Sequence, residues 1–167
     1  TKNLVLASLF FFLCLLSKEN GVTIAAIAPL SLFFFTDSKP VRILTQSIPY
    51  FILLVIFLVI RNSVMTGQSD GSETQIINNI LNGAHGFNER YATNFVILGK
   101  YLQLLFIPYP LSYDYSFNQL PVVSWSSIEA IISLVIYVAL GAFVILRFRK
   151  KDPLSWCVLY YFITISV

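Results

Sequence analysis

An all-α, polytopic transmembrane helix bundle is the fold class that this sequence predicts. Two observations on composition and one on pattern carry the expectation. Of the 167 residues, 57% are hydrophobic and only 11% are charged, whereas soluble domains carry about 25% charged residues. The apolar residues come as continuous runs rather than in the alternation of a strand. A bilayer accepts only helices or closed barrels, because each backbone polar group must be satisfied within the protein.

Six apolar segments follow one another. The first covers 4–16 and ends at the polar turn Ser17-Lys18-Glu19-Asn20-Gly21. The second covers 22–35 and contains Pro29; a break at 36–42 follows, with Asp37, Lys39 and Arg42. In the third, 43–60, Pro49 is expected to kink the helix or mark its entry. The stretch Arg61–Arg90 is polar and rich in Asn, Gly and Ser. Within it Ile76, Ile77, Ile80 and Leu81 recur at helical spacing, which predicts a short surface helix over 73–81, ended by Gly83 and Gly86. The fourth segment is 91–108, followed by a loop from Tyr109 to Ser126 rich in Pro and Tyr. The fifth, 127–146, has the roughly 20 residues of a full span. A basic break, Arg147–Asp152, precedes the sixth, 153–167. No internal repeat is visible, so 1–167 reads as one transmembrane domain. The chain has no initiator Met, and its last run is shorter than a span, so it is expected to be a piece of a longer protein.

Orientation follows from the basic residues. The cluster Arg147, Arg149, Lys150, Lys151 and the pair Lys39, Arg42 mark cytoplasmic ends. The third segment then runs outward and the fifth inward, with an outer loop, 61–126, between them. A single crossing by 91–108 does not fit that trace. The segment is expected to re-enter the membrane or lie along its outer interface. Asn94, Lys100 and Gln103 within it agree, since a mid-span lysine costs about 2.5–3.5 kcal/mol on insertion scales. A plain spanning helix whose Lys100 snorkels is the competing reading. The net charge is +3, and the basic residues sit at segment ends rather than on one stripe, which speaks against nucleic acid as a partner.

Several residues are candidates for chemistry. Lys18 and Glu19 lie on the outer face in this topology, either as a solvated turn or as a polar pair flanking a site at the membrane surface. Arg90 and Lys100 are cations suited to a phosphate head group at the lipid surface. The stretch Pro108–Pro121 carries Tyr109, Tyr113, Asp114 and Tyr115; its tyrosines suit either the headgroup layer or stacking on sugar rings. Asp114 fits a base, a metal ligand or a turn cap. Glu129 fits a capping box, Ser126-Ser127-Ile128-Glu129, at the start of the fifth helix. His85 is the single histidine and has no ligand partner nearby, so no metal site is expected from it. Cys14 and Cys157 lie within apolar runs and read as small apolar side chains.

The segment Ser17-Lys-Glu-Asn-Gly-Val-Thr23 resembles the Lys-Glu-x-Gly-(Ile/Val)-Thr turn of the transmembrane and tetratricopeptide-repeat O-mannosyltransferases and their bacterial relatives. Arg90–Thr93, Tyr101–Pro108, Leu111–Ser116 and Leu120-Pro121 are similar to later motifs of that family, in the same order. The resemblance covers about Leu4 to Leu146. It implies the membrane part of a GT-C type glycosyltransferase that moves a sugar from a polyprenyl-phosphate carrier to a protein or glycan acceptor. The expected setting is a bacterial inner membrane with a periplasmic active face. The family's catalytic acid and its repeats would lie outside this chain, which alone is expected to be inactive. Lys18, Arg90 and Lys100 would then hold the carrier phosphate, and Glu19, Tyr113, Asp114 and Tyr115 would be substrate-loop residues. A lipid-linked sugar is the donor, no further cofactor is implied, and a divalent metal is left open. A transporter fragment and a non-catalytic membrane anchor of a repeat-containing protein stay open as other classes.

Overall fold

The computed structural model of the chain describes residues 2–65, 80–84, 86–111 and 120–166. Six α-helices account for most of them, and no strand occurs among the described residues. They are α1 (Lys2–Ser17), α2 (Ile24–Phe35), α3 (Pro40–Met65), α4 (Gly86–Phe106), α5 (Ile128–Arg147) and α6 (Pro153–Ile165). Single 3₁₀ turns occupy Glu19–Thr23, Ile80–Gly83 and Phe148–Lys150. Most of the stretch 73–81, with His85, Tyr113, Asp114 and Tyr115, falls outside the described residues.

The sequence signals explain most boundaries. Pro40 opens α3 at a position where a missing N–H costs nothing, and Pro49 lies inside the helix. Of the two roles the sequence offered Pro49, a kink or the entry of the helix, the entry is made by Pro40. α6 is capped by Asp152, whose carboxylate accepts the Leu154 N–H at 3.0 Å, with Pro153 opening its first turn. Gly86 opens α4 at φ +87°, a conformation that favours glycine.

Two helices are long and apolar enough to cross a membrane: Pro40–Met65, and α5 with the turn after it, Ile128–Lys150. Only 11% and 17% of their most apolar windows are buried within the chain. The core helix of a soluble protein would be mostly covered, so these two present their apolar sides outward. By themselves α1, α2 and α6, with 16, 12 and 13 residues, are shorter than the roughly 20 residues of a span.

The chain reads in sequence as one bundle, but its described residues group into two compact units. One is Thr1–Ser69 with Ala142–Val167; the other is Asp70–Gly141. In the first, Phe11, Leu15, Ala25 and Phe57 form the core, and Phe11 meets Tyr50 edge-on at 5.3 Å. Glu19, just beyond α1, pairs with Arg61 near the end of α3. From Phe11 to Glu19 and from Tyr50 to Arg61 the numbering rises together, so α1 and α3 run in the same sense. At the opposite end of this unit, Phe33 stacks on Phe148 at 5.1 Å. There the Lys151 ammonium donates to the Thr36 carbonyl at 2.8 Å. The basic breaks at 36–42 and 147–152 are thus held together at one end, away from the Lys18-Glu19 turn, in agreement with the sequence-based trace.

In the second unit, Ala92, Val96 and Ala130 are buried together, with Val123 and Trp125 against them. Thr93 is fully buried; its hydroxyl donates to the Val123 carbonyl at 3.3 Å and accepts the Val123 N–H at 3.0 Å. Thirteen residues of α4, about 20 Å, separate Thr93 from Phe106. Val123, shortly before α5, therefore lies level with Thr93 and well back along α4 from its end.

Candidate functional site

α4 and α5 come close together at Gly99 and Ser133. A β-carbon on Gly99 would overlap the Ser133 hydroxyl and stand 3.2 Å from its Cβ, so any larger residue would force the Ser133 side chain to turn and the crossing to give. Ser133 is five residues into α5, about 8 Å from its start. The crossing thus lies near the N-terminal end of the long apolar helix. On one side of it a groove of about 370 Å³ opens between the two helices.

The groove is mostly apolar, lined by Val96, Leu102, Phe106, Ile132 and Ile136. Its polar groups are Lys100 and Gln103 on α4 and Glu129, Ser133 and Tyr137 on α5. The Lys100 ammonium donates to Gln103 Oε1 at 3.0 Å, and Gln103 Nε2 donates to the Tyr109 carbonyl at 3.4 Å. This relay ties the end of α4 to the loop that follows. Tyr137 holds the other wall, its hydroxyl donating to the Leu98 carbonyl at 3.0 Å. Lys100 and Glu129 both line the groove but form no direct ion pair among the described contacts.

Of the sequence-predicted cations, Arg90 and Lys100 are not drawn to one point. Arg90 is exposed on the first turns of α4, and Lys100 follows ten residues later, about 15 Å along the axis. Lys100 also turns toward Gln103, away from Arg90. Lys18 belongs to the first unit, where it is exposed at the start of the 3₁₀ turn. Glu19 follows it and forms an ion pair of 2.6 Å with Arg61. That partner was not singled out by the sequence. Gly21 lets the turn press against α1, since a β-carbon there would lie 3.0 Å from Cys14 Sγ and 3.3 Å from the Cys14 backbone. Thr23 closes the turn by donating to the Asn20 carbonyl at 2.9 Å. The Lys-Glu-Asn-Gly-Val-Thr motif therefore builds a tight corner with Glu19 on its outside.

Glu129 departs from the capping expectation. Ser126 Oγ lies 2.6 Å from Ser124 Oγ, and Glu129 takes its place on the groove wall. Ser133 and Tyr137 were missed, although Glu129, Ser133 and Tyr137 stand at i, i+4 and i+8, the spacing of one helix face. Among the described residues, no group of three or more His, Cys, Asp and Glu could hold a metal ion. No family model, curated protein or solved structure matches the chain.

Proposed function

We propose that the chain is the membrane-embedded part of a GT-C type glycosyltransferase, with the fold of a polytopic bundle, acting on a polyprenyl-phosphate sugar at a non-cytoplasmic face. In a bacterium that face is the periplasmic side of the inner membrane. The observation that carries the proposal is Lys100 in the α4–α5 groove: one ammonium beside an apolar trough, near the N-terminal end of an apolar span. Such a site is matched to an amphiphile with an anionic head and a hydrocarbon chain.

Several features support the placement. α5 delivers Arg147 and the basic turn to one end, so its N-terminal end belongs to the opposite, non-cytoplasmic side. α4 meets α5 near that end, and its connector returns to Thr93 without a further helix among the described residues. Both points favour a fourth segment that lies at or re-enters from the outer interface. The 3₁₀ turn and α2 together run from Glu19 to Phe35, 17 residues, the lower limit of a span. The ordered motifs of Lys18–Thr23 and Arg90–Pro121 supply the glycosyltransferase part of the proposal. In this reaction Lys100 stabilises the phosphate as the sugar departs; deprotonation of the acceptor belongs to residues outside the chain.

Lys100→Met in the full-length protein is the test. A hydrogen bond to a charged group is worth about 1.5–3 kcal/mol, so carrier use should fall by roughly ten- to a hundredfold. Lys100→Arg should keep part of the activity, because charge survives while geometry changes. Normal turnover of the Met variant would remove Lys100 from the site. A non-catalytic anchor or a transporter fragment predicts no sugar transfer by the full-length protein at all.

A further inference from the structure

We infer that the basic end of the first unit is a binding surface for anionic phospholipid headgroups. Three stretches far apart in sequence meet there. Lys151 donates to the Thr36 carbonyl and lies 3.4 Å from Asp37 Oδ1, which joins the turn of Lys39 and Arg42 to that of Arg147, Arg149 and Lys150. Lys2 joins them because α1 and α3 run in the same sense. It lies nine residues before Phe11, and Arg42 lies eight before Tyr50, the ring partner of Phe11. Seven basic residues thus gather at this end, against two acidic ones, Asp37 and Asp152.

The acids are engaged within the structure. Asp152 caps α6 and pairs with Arg147 at 3.3 Å, and Asp37 takes Lys151. Lys151 is further held over the Phe33 ring at 5.6 Å. Arg147 and Lys151 therefore brace the turns, while Lys2, Lys39, Arg42, Arg149 and Lys150 are exposed around them. The opposite end of the unit differs: there the Glu19–Arg61 pair leaves Lys18 as the excess charge. A cluster of basic residues beside the end of an apolar span attracts anionic headgroups, and the attraction decays within a Debye length. The partner is a phospholipid bearing net negative charge, and several exposed cations acting together favour it over a zwitterionic lipid, whose own cation offsets its phosphate.

The proposal rests on the membrane placement given above, and the structure supplies a reporter that separates the two. Trp156 lies near this end, its indole N–H donating to Ser31 Oγ at 3.3 Å. With Trp125 replaced by Phe, Trp156 is the one tryptophan left. The chain is reconstituted in phosphatidylcholine vesicles holding a fixed fraction of either brominated phosphatidylglycerol or brominated phosphatidylcholine. Stronger quenching by the brominated phosphatidylglycerol is expected. The R149Q/K150Q variant should lower the preference by roughly fivefold or more at low salt. One molar salt, with a Debye length of about 3 Å, should abolish most of the preference in the unaltered chain. Equal quenching by the two lipids at low salt would overturn the headgroup proposal while leaving the membrane placement intact. No quenching by either lipid would overturn both.

Discussion

Thr93 and Glu129 take different places in the second unit, one in its buried interior and one on the groove wall. The Thr93 hydroxyl takes both backbone groups of Val123 in a fully buried position. Thr93→Val keeps the shape and removes the hydroxyl, leaving the Val123 N–H and carbonyl without that partner. The expected cost is about 1–3 kcal/mol, read as a lower unfolding midpoint and faster amide exchange at Val123; unchanged exchange would contradict it. Glu129 gives a test of opposite sign. A carboxylate beside a carrier phosphate repels it, so Glu129→Gln should leave carrier affinity unchanged or raise it by a few-fold. A marked fall in affinity would instead place a cationic ligand group in the groove. The sequence marked Arg90 to Thr93 as a motif and pointed to the arginine, yet the threonine has the visible structural task. Its signal was faint because a threonine mid-helix shows no preference of its own; the partner at Val123 lies 30 residues away.

At the scale of elements, the α4–α5 crossing depends on Gly99. Gly99→Ala places a methyl against Ser133, and overpacking of this kind costs about 1–3 kcal/mol. A second change, Ser133→Ala, should recover part of the loss by removing the hydroxyl; a fully tolerated Gly99→Ala would mean that the helices separate freely. The Glu19–Arg61 pair links the first corner to α3 across exposed side chains. Exposed pairs are worth about 0–1 kcal/mol, so a double-mutant cycle on unfolding should give less than about 1 kcal/mol. Loss of full-length activity in Glu19→Gln with stability retained would then assign Glu19 a chemical role. The helices themselves were legible: runs of 4–16, 22–35 and 43–60 became Lys2–Ser17, Ile24–Phe35 and Pro40–Met65. The observed helices extend beyond most of the apolar runs because polar residues at helix ends, such as Asn62 and Ser63, keep helical geometry without being apolar. The groove was less legible. Lys100 stood out as a charge in an apolar run, whereas Gln103, Ser133 and Tyr137 became a set only once the crossing brought two helices together.

For the whole molecule, two exposed apolar helices carry the membrane reading, and the gathering of positive charge at one end of the first unit carries its orientation. Positive residues at 39–42 and 147–151 predicted one common end, and Lys151 bonded to Thr36 brings those turns together. What composition could not convey was the grouping into two units, because both contain long apolar runs and the boundary between Gly141 and Ala142 falls inside α5. Side-specific labelling of single cysteines tests the central claim most directly. In a chain with Cys14 and Cys157 replaced by alanine, cysteines are placed at Asn20, at Ser126 just before α5, and at Lys150 just after it. An impermeant maleimide applied from the non-cytoplasmic side should label Asn20→Cys and Ser126→Cys, and should reach Lys150→Cys only after the membrane is opened. Labelling of Ser126→Cys and Lys150→Cys from one side of an intact membrane would contradict α5 as a span, and with it the placement of the Lys100 groove.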